Sequence, residues 1–351
     1  MSANPIELLE GLLKVYSPSF NEFDAVEYLV KAMNTLGFSA FRDEAGSAVG
    51  VMGEGPRQIV LLGHIDTAKG FVEVRREGGL LYGRGAVDAK GPLCAFVSAV
   101  ASVGAREGWR LVVVGAVEEE CPTSKGAHFA KTQYRPEFAI VGEPSGWNRV
   151  TLGYKGSLWV DYTLTRAMAH TAGQQRSAVE QAVEFWNAVK RFTDDFNFDK
   201  TRVFDRLDPT LRNLHSSDDG LSETAKLTIG LRLPVGVGVK ELEEKILELK
   251  GVEGTVSFST ETPAYRAEKN NVLVRSFLAS IRENGGEPGF TLKTGTSDMN
   301  VLGPYWNCPI VTYGPGDSNL DHTPNEHIEL EEYARAIDVL TQTLLTLTAT
   351  V

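Results

Sequence analysis

Cysteine is scarce in this chain. There are three in 351 residues, Cys94, Cys121 and Cys308, far apart and odd in number. That spacing excludes a disulfide framework and a CxxC metal site, and it predicts reduced thiols in a cytoplasmic protein. No apolar stretch approaches the roughly 18 residues that a membrane span needs. The N-terminal MSANPIELLEGLLKVYS carries acidic residues where a signal peptide would be basic. Basic residues are in the minority, 35 Lys plus Arg against 46 Asp plus Glu, for a net charge of -11. A nucleic-acid binder is marked by a basic surface, so the balance argues against nucleic acid as a partner. Internal repeats and low-complexity segments are also missing.

What remains is the composition of a soluble globular protein, 42% hydrophobic and 23% charged. The chain is too long for one ordinary core and about right for two domains. Residues 5–15 and 22–36 read as amphipathic helices, and GPLCAFVSAVASV at 91–103 as a buried small-residue helix. Short apolar runs at 59–62, 111–117 and 139–141 alternate with helices, as in a mainly parallel sheet covered on both faces. Near residue 155 the style changes. SLWVDYTLT at 157–165 alternates with period two, and a helix at about 179–189, a strand at 227–233, a helix at 240–250 and a strand at 254–260 follow. From about residue 268 the first style returns, with a helix at 272–284, a strand at 308–312 and a last helix from 329 to about 347. The expected organisation is one α/β domain built from residues 1–154 and 267–351, with an α+β domain, 155–266, inserted between.

The segment GAVEEECPTSKGA poses the chemical question. An apolar run ends in Glu118, Glu119 and Glu120, which repel one another. They mark either a solvated strand end or a waiting cation. Other strands end the same way. The run at 59–62 leads into GHID, with His64 and Asp66. The run at 139–141 leads into GEP, with Glu143, and the run at 308–312 leads on to His322. GRGAVDAKG adds Asp88 at the start of the small-residue helix, where it could also serve as a cap. In an open parallel sheet the carboxyl ends of the strands are where ligands bind. Clustered there without a counter-charge, these carboxylates would repel strongly. A nitrogen and oxygen donor set of this kind suits Zn²⁺, with Co²⁺ or Mn²⁺ also accommodated, and paired metals are a standard device for hydrolysis.

The motifs GHID, GRGAVDAKG, EEE, VGEP and HTPNE, in this order over nearly the whole chain, resemble the M20 family of dinuclear metallopeptidases and deacylases, which includes acetylornithine deacetylase and succinyl-diaminopimelate desuccinylase. The resemblance implies two divalent ions, Zn²⁺ as the first expectation and Co²⁺ as the second. It makes His64, Asp88 and Glu143 ligands of one ion and Asp88, Glu120 and His322 ligands of the other, with Asp88 shared. Glu119 becomes the general base that takes a proton from the attacking water and returns it to the departing amine, and Asp66 orients the His64 ring. Three consecutive glutamates leave the frame open by one residue. The family order of acidic residue, base, ligand and small residue selects Glu119 and Glu120.

The resemblance also implies the architecture: a phosphorylase/hydrolase-like catalytic domain with an inserted ferredoxin-like α+β domain that acts as a lid and forms a homodimer. In TRAMAHTAG, His170 matches the lid histidine that polarises the scissile carbonyl, although a surface or capping histidine would look the same. Arg232 in GLRLP matches the lid arginine that contacts a substrate carboxylate, or is an ordinary strand arginine. KTGTSDMN resembles the loop lining the substrate pocket, where Gly295, Thr296 and Ser297 would offer N–H groups and hydroxyls. Within the family, DEAGSAVG, VEEECPTSKGA and GTSDMN look most like the branch that releases lysine, and sometimes ornithine, from the C-terminal glutamate of the small acidic amino-carrier protein LysW. Deacetylation of N-acetyl-lysine or N-acetylornithine and general aminopeptidase activity stay open as alternatives.

Overall fold

The computed structural model describes residues 4–170, 172–251 and 253–349. It divides into two compact units. The first comprises everything described up to Gly153, Ala267–Leu292 and everything described from Ser297. The second comprises Tyr154–Arg266 and Lys293–Thr296.

The first unit is built on a sheet whose strands run, in spatial order, Ser39–Arg42, Ala48–Met52, Trp109–Ala116, Arg57–His64, Phe138–Gly142, Ile310–Thr312 and Arg149–Tyr154. The central strands pair in parallel, and the flanking pairs are antiparallel. The middles of the parallel strands, Ile59–Leu62, Leu111–Val114 and Ala139–Val141, are unbroken apolar runs because both of their faces are covered. Ile59 and Leu61 enter the large core formed with the helices Pro5–Leu13, Lys90–Val103, Val272–Glu283 and Leu330–Ala349. Val60 and Leu62, pointing the opposite way, are buried as well. The helix Lys125–Gln133 packs beside Trp109–Ala116, and Asp298–Trp306 beside Ile310–Thr312.

Three glycines stand level across the central strands, Gly63 opposite both Gly115 and Gly142. A Cβ would lie 3.3 Å from Leu93 Cβ at Gly63, 3.1 Å from Leu93 Cδ2 at Gly115 and 2.8 Å from Phe96 Cε2 at Gly142. The row therefore admits the helix Lys90–Val103 to close packing on the sheet. That helix begins two residues after Asp88, so the approach brings Asp88 to the ends of the strands that carry His64 and Glu143.

The second unit has its own core and a four-stranded antiparallel sheet, in the order Asp208–Asp218, Ser222–Leu233, Gly156–Ala167, Thr255–Thr262. The helices Ala178–Asn197 and Val239–Leu249 pack on it. Ser177 and Glu180 close the N-terminus of the first of these with a capping box. The edge strand Asp208–Asp218 is a feature that the sequence pattern does not reveal. Its residues, DPTLRNLHSSD, are mostly poor strand formers and largely exposed. Pairing with Ser222–Leu233 makes the strand.

Candidate metal centre

Within the first unit, the carboxyl ends of the strands bring five donors together in two groups. His64, Asp88 and Glu143 form one, and Asp88, Glu120 and His322 the other, with the donor atoms of each group within 4.8 Å of one another. Asp88 belongs to both and divides its oxygens. Oδ1 lies 3.1 Å from His64 Nε2, and Oδ2 lies 3.0 Å from His322 Nε2. Glu120 Oε1 is 2.9 Å from the same His322 nitrogen. Glu143 Oε1 and Glu119 Oε2 stand 3.9 and 4.0 Å from His64 Nε2.

The His64 tautomer follows from its other contact. Nδ1 lies 2.9 Å from the main-chain oxygen of Asp66, which can only accept. Nδ1 therefore carries a proton in either charge state, so in the neutral ring it is Nε2, the nitrogen facing the carboxylates, that has the free lone pair. The Asp66 carboxylate stands farther off, at 3.5 Å. It accepts instead from Glu119 N at 3.1 Å, Glu120 N at 3.0 Å and Ser19 Oγ at 2.8 Å. One buried side chain thus fixes the backbone of the two central glutamates beside the histidine whose ring its main chain holds. Glu118 turns away. Its φ is 64°, and its carboxylate accepts from Thr123 Oγ1 at 2.6 Å and faces Lys125 at 3.7 Å. His322 also sits in the left-handed region, at φ 60°.

The charge balance fits a divalent pair. Burial pushes the Glu119 carboxyl well above the usual range, His64 opposes this, and Glu143, Asp298 and Glu120 add to it. Burial would neutralise His64, but the nearby Asp66 carboxylate and the hydrogen-bonded Asp88 hold its ring charged well above the ordinary histidine range. Hydrogen bonds to Asp88 and Glu120 hold His322 up to about 10. Asp88 is kept below the usual carboxylate range, His322 and His64 overcoming its burial. Protons on the imidazoles are doing what a cation between the carboxylates would do. The mixture of two imidazoles and three carboxylates, one of them shared, has the donor chemistry of a paired divalent-metal centre.

Of the remaining predicted residues, all but Ser297 belong to the second unit. His170 is exposed in the second unit, and its Nδ1 accepts from Ala172 N at 3.1 Å. The proton is then on Nε2, which is left as a donor. Arg232 lies on the strand Ser222–Leu233 of the same unit. Burial and the neighbouring Arg212 lower its pKa, and among the described residues no carboxylate pairs with it. Gly295 and Thr296 also belong to the second unit. Ser297, in the first, is buried, and both its N–H and its hydroxyl are engaged in the capping box of Asp298–Trp306.

Three residues of the centre escape a reading of the sequence. Ser19, in the loop before the helix Phe23–Thr35, donates to Asp66 from 47 residues away, and nothing local announces it. Asp298 is 1% exposed, neither carboxylate oxygen has a hydrogen-bond partner among the described residues, and burial raises its pKa to about 7. Glu326 stands inside HTPNE, where a glutamate four residues after His322 was the available signal.

Residues 60–346 match Peptidase family M20/M25/M40. The LysW-lysine hydrolase of Deinococcus radiodurans is 45% identical over 345 residues, 96% of this chain and 95% of that protein. The LysW-lysine/LysW-ornithine hydrolase of Saccharolobus solfataricus is 30% identical over 327 residues, 93% and 91% of the two chains. Among solved structures, a tripeptidase from Staphylococcus aureus superposes with a TM-score of 0.82 over 100% of both chains at 17% identity. An M20 family metallo-carboxypeptidase from Sulfolobus solfataricus gives 0.78 over 97% of this chain and 98% of that one, at 18% identity. At such identities these two structures speak for the fold alone.

Proposed function

The chain belongs to peptidase family M20/M25/M40, and from that premise we propose that it hydrolyses the amide joining lysine, or ornithine, to the C-terminal glutamate of a LysW-type amino-carrier protein. It is a metal-dependent amide hydrolase. The observation that carries the choice of substrate is the 45% identity to a LysW-lysine hydrolase over almost the whole of both proteins. The reaction belongs to lysine and arginine biosynthesis.

We assign His64, Asp88 and Glu143 to one divalent ion and Asp88, Glu120 and His322 to the other, Zn²⁺ before Co²⁺. When bound, such a pair polarises the scissile carbonyl and acidifies the attacking water. Glu119, beside His64 and without a ligand's place in either group, takes the proton from that water and delivers it to the leaving amine. Asp66 keeps the His64 ring and the Glu119–Glu120 backbone in place. His170 donates its Nε2–H to the developing oxyanion. Arg232 receives a substrate carboxylate as a fixed fork of donors. Gly295 and Thr296 line the substrate pocket, and Ser297, next in the same loop, caps the helix Asp298–Trp306. The second unit serves as lid and as the homodimer interface. The three unpaired cysteines suit a cytoplasmic setting, and among the described residues no helix is long and apolar enough to cross a membrane.

The test is amine release by the purified protein supplied with Zn²⁺ or Co²⁺. Carrier-linked lysine is compared with N-acetyl-lysine, N-acetylornithine and simple di- and tripeptides. Fast release from the carrier alone is expected. Preference for the acetylated amino acids would make the protein a deacetylase of the same family, and preference for the peptides a general aminopeptidase.

A further inference from the structure

Glu326 is fully buried, yet it belongs to neither donor group. Its Oε1 accepts from Gly85 N at 3.0 Å, Val87 N at 3.0 Å and Asp88 N at 3.1 Å. Oε2 accepts from Arg84 Nη1 at 2.7 Å. Every donor lies in the turn that carries Asp88. The main-chain oxygen of Glu326 extends the hold by accepting from Gly83 N at 3.2 Å. Four residues before Glu326 is His322, whose imidazole meets the second oxygen of Asp88. One side chain therefore joins the turn of the shared carboxylate to the segment that supplies a histidine of the second group.

Converging backbone N–H groups make an anion-binding concavity that a water or a hydroxyl could fill. Here it is filled by a buried carboxylate with a buried arginine as counter-ion. Such a pair contributes little net stability compared with an apolar replacement, so stability alone is a poor reason for it. Geometry is a better one. Charge-assisted bonds are short and directional, and Asp88 must present one oxygen to each side at once. A small rotation of the turn would withdraw one of them.

We infer that Glu326 is a positioning residue that orients the shared carboxylate of Asp88 and thereby sets the affinity of the two-ion centre, most of all at the His322 side. This rests on the metal assignment proposed above. Partners that orient a ligand from behind typically contribute about 10–100-fold in metal affinity.

The decisive experiment is a Co²⁺ titration of chelator-stripped protein, followed by visible absorption, which reports coordination without turnover. Wild type takes up two ions. Glu326→Gln keeps the shape and one acceptor oxygen but places an amide against Arg84. It should bind at least one ion about ten-fold or more weaker, with unchanged far-UV circular dichroism. Two ions bound with wild-type affinities, even at a lowered Tm, would overturn the inference, since a purely structural residue moves Tm and leaves affinity alone. If Glu326→Gln does not fold, Glu326→Asp, which keeps the charge and withdraws it by one methylene, decides by the same titration and the same criteria. Failure of wild type to bind Co²⁺ at all would instead refute the metal assignment.

Discussion

Glu119 and Glu120 are neighbours in sequence and receive different work from the backbone that holds them. Asp66 accepts from both amides, one on each oxygen. Glu120 then reaches His322 and accepts from Ala68 N at 3.1 Å, while Glu119 stands beside His64. Glu119→Gln should therefore keep both ions, measured as metal content per chain, and lose about 10²–10⁴-fold in kcat. Near-normal turnover would shift the role of base to another residue. His322 supplies a second prediction. Without metal its ring is charged up to about pH 10 through Asp88 and Glu120, whereas an unfolded histidine titrates near 6.5. A raised pKa in the folded state means that the stabilisation is complete below about pH 6.5 and is lost as pH rises toward about 10. In chelator, the Tm advantage of wild type over His322→Gln should shrink across that window. With metal bound the proton is displaced, so binding should release protons and tighten with pH over the same range.

At the scale of elements, the centre depends on how closely the helix Lys90–Val103 lies on the sheet. Gly142 is the tightest point, with Phe96 Cε2 at 2.8 Å and Gly63 Cα at 3.1 Å from the position of a Cβ. Gly142→Ala should cost about 1–3 kcal/mol by overpacking, read by urea denaturation, and should weaken metal binding, because Glu143 follows directly and Asp88 lies in the turn that leads into the helix. Carboxylates that clamp loops recur: Asp66 holds 119–120, Glu326 holds 84–88, and Glu332 accepts from Trp147 N at 3.0 Å and Gly316 N at 3.1 Å. The five donor residues that the fold gathers were legible in the sequence because each follows an apolar run or a glycine turn, a local pattern. The clamps were not. Whether a glutamate such as Glu326 is buried, and which amides it meets, is decided by segments more than 200 residues apart. The burial of Asp298 is hidden for the same reason, since only the fold encloses it. The strand Asp208–Asp218 was invisible because its neighbour, rather than its composition, makes it a strand.

At the scale of the whole molecule, both donor groups lie in the first unit, and the second carries an independent core around Leu158, Val160, Leu227 and Ile229. Ligand binding stabilises only what holds the ligand. At a free concentration 100 times Kd, one ion adds about 2.7 kcal/mol to the states that bind it. Local opening of the loops at 84–88 and 119–120 separates ligands of the centre, so the bound ions oppose it. The amides of Glu119 and Glu120, bonded to Asp66, and those of Gly85, Val87 and Asp88, bonded to Glu326, should therefore report metal most directly. In hydrogen exchange, chelation should speed these amides by well over ten-fold. The strands Gly156–Ala167 and Ser222–Leu233, which carry His170's neighbours and Arg232, should keep their protection. Equal acceleration in both units would mean that metal stabilises the chain as one cooperative block. In that case an effect of a second-unit substitution on turnover could be transmitted through the metal centre itself, and the roles of His170 and Arg232 would have to be tested with metal occupancy measured in every variant.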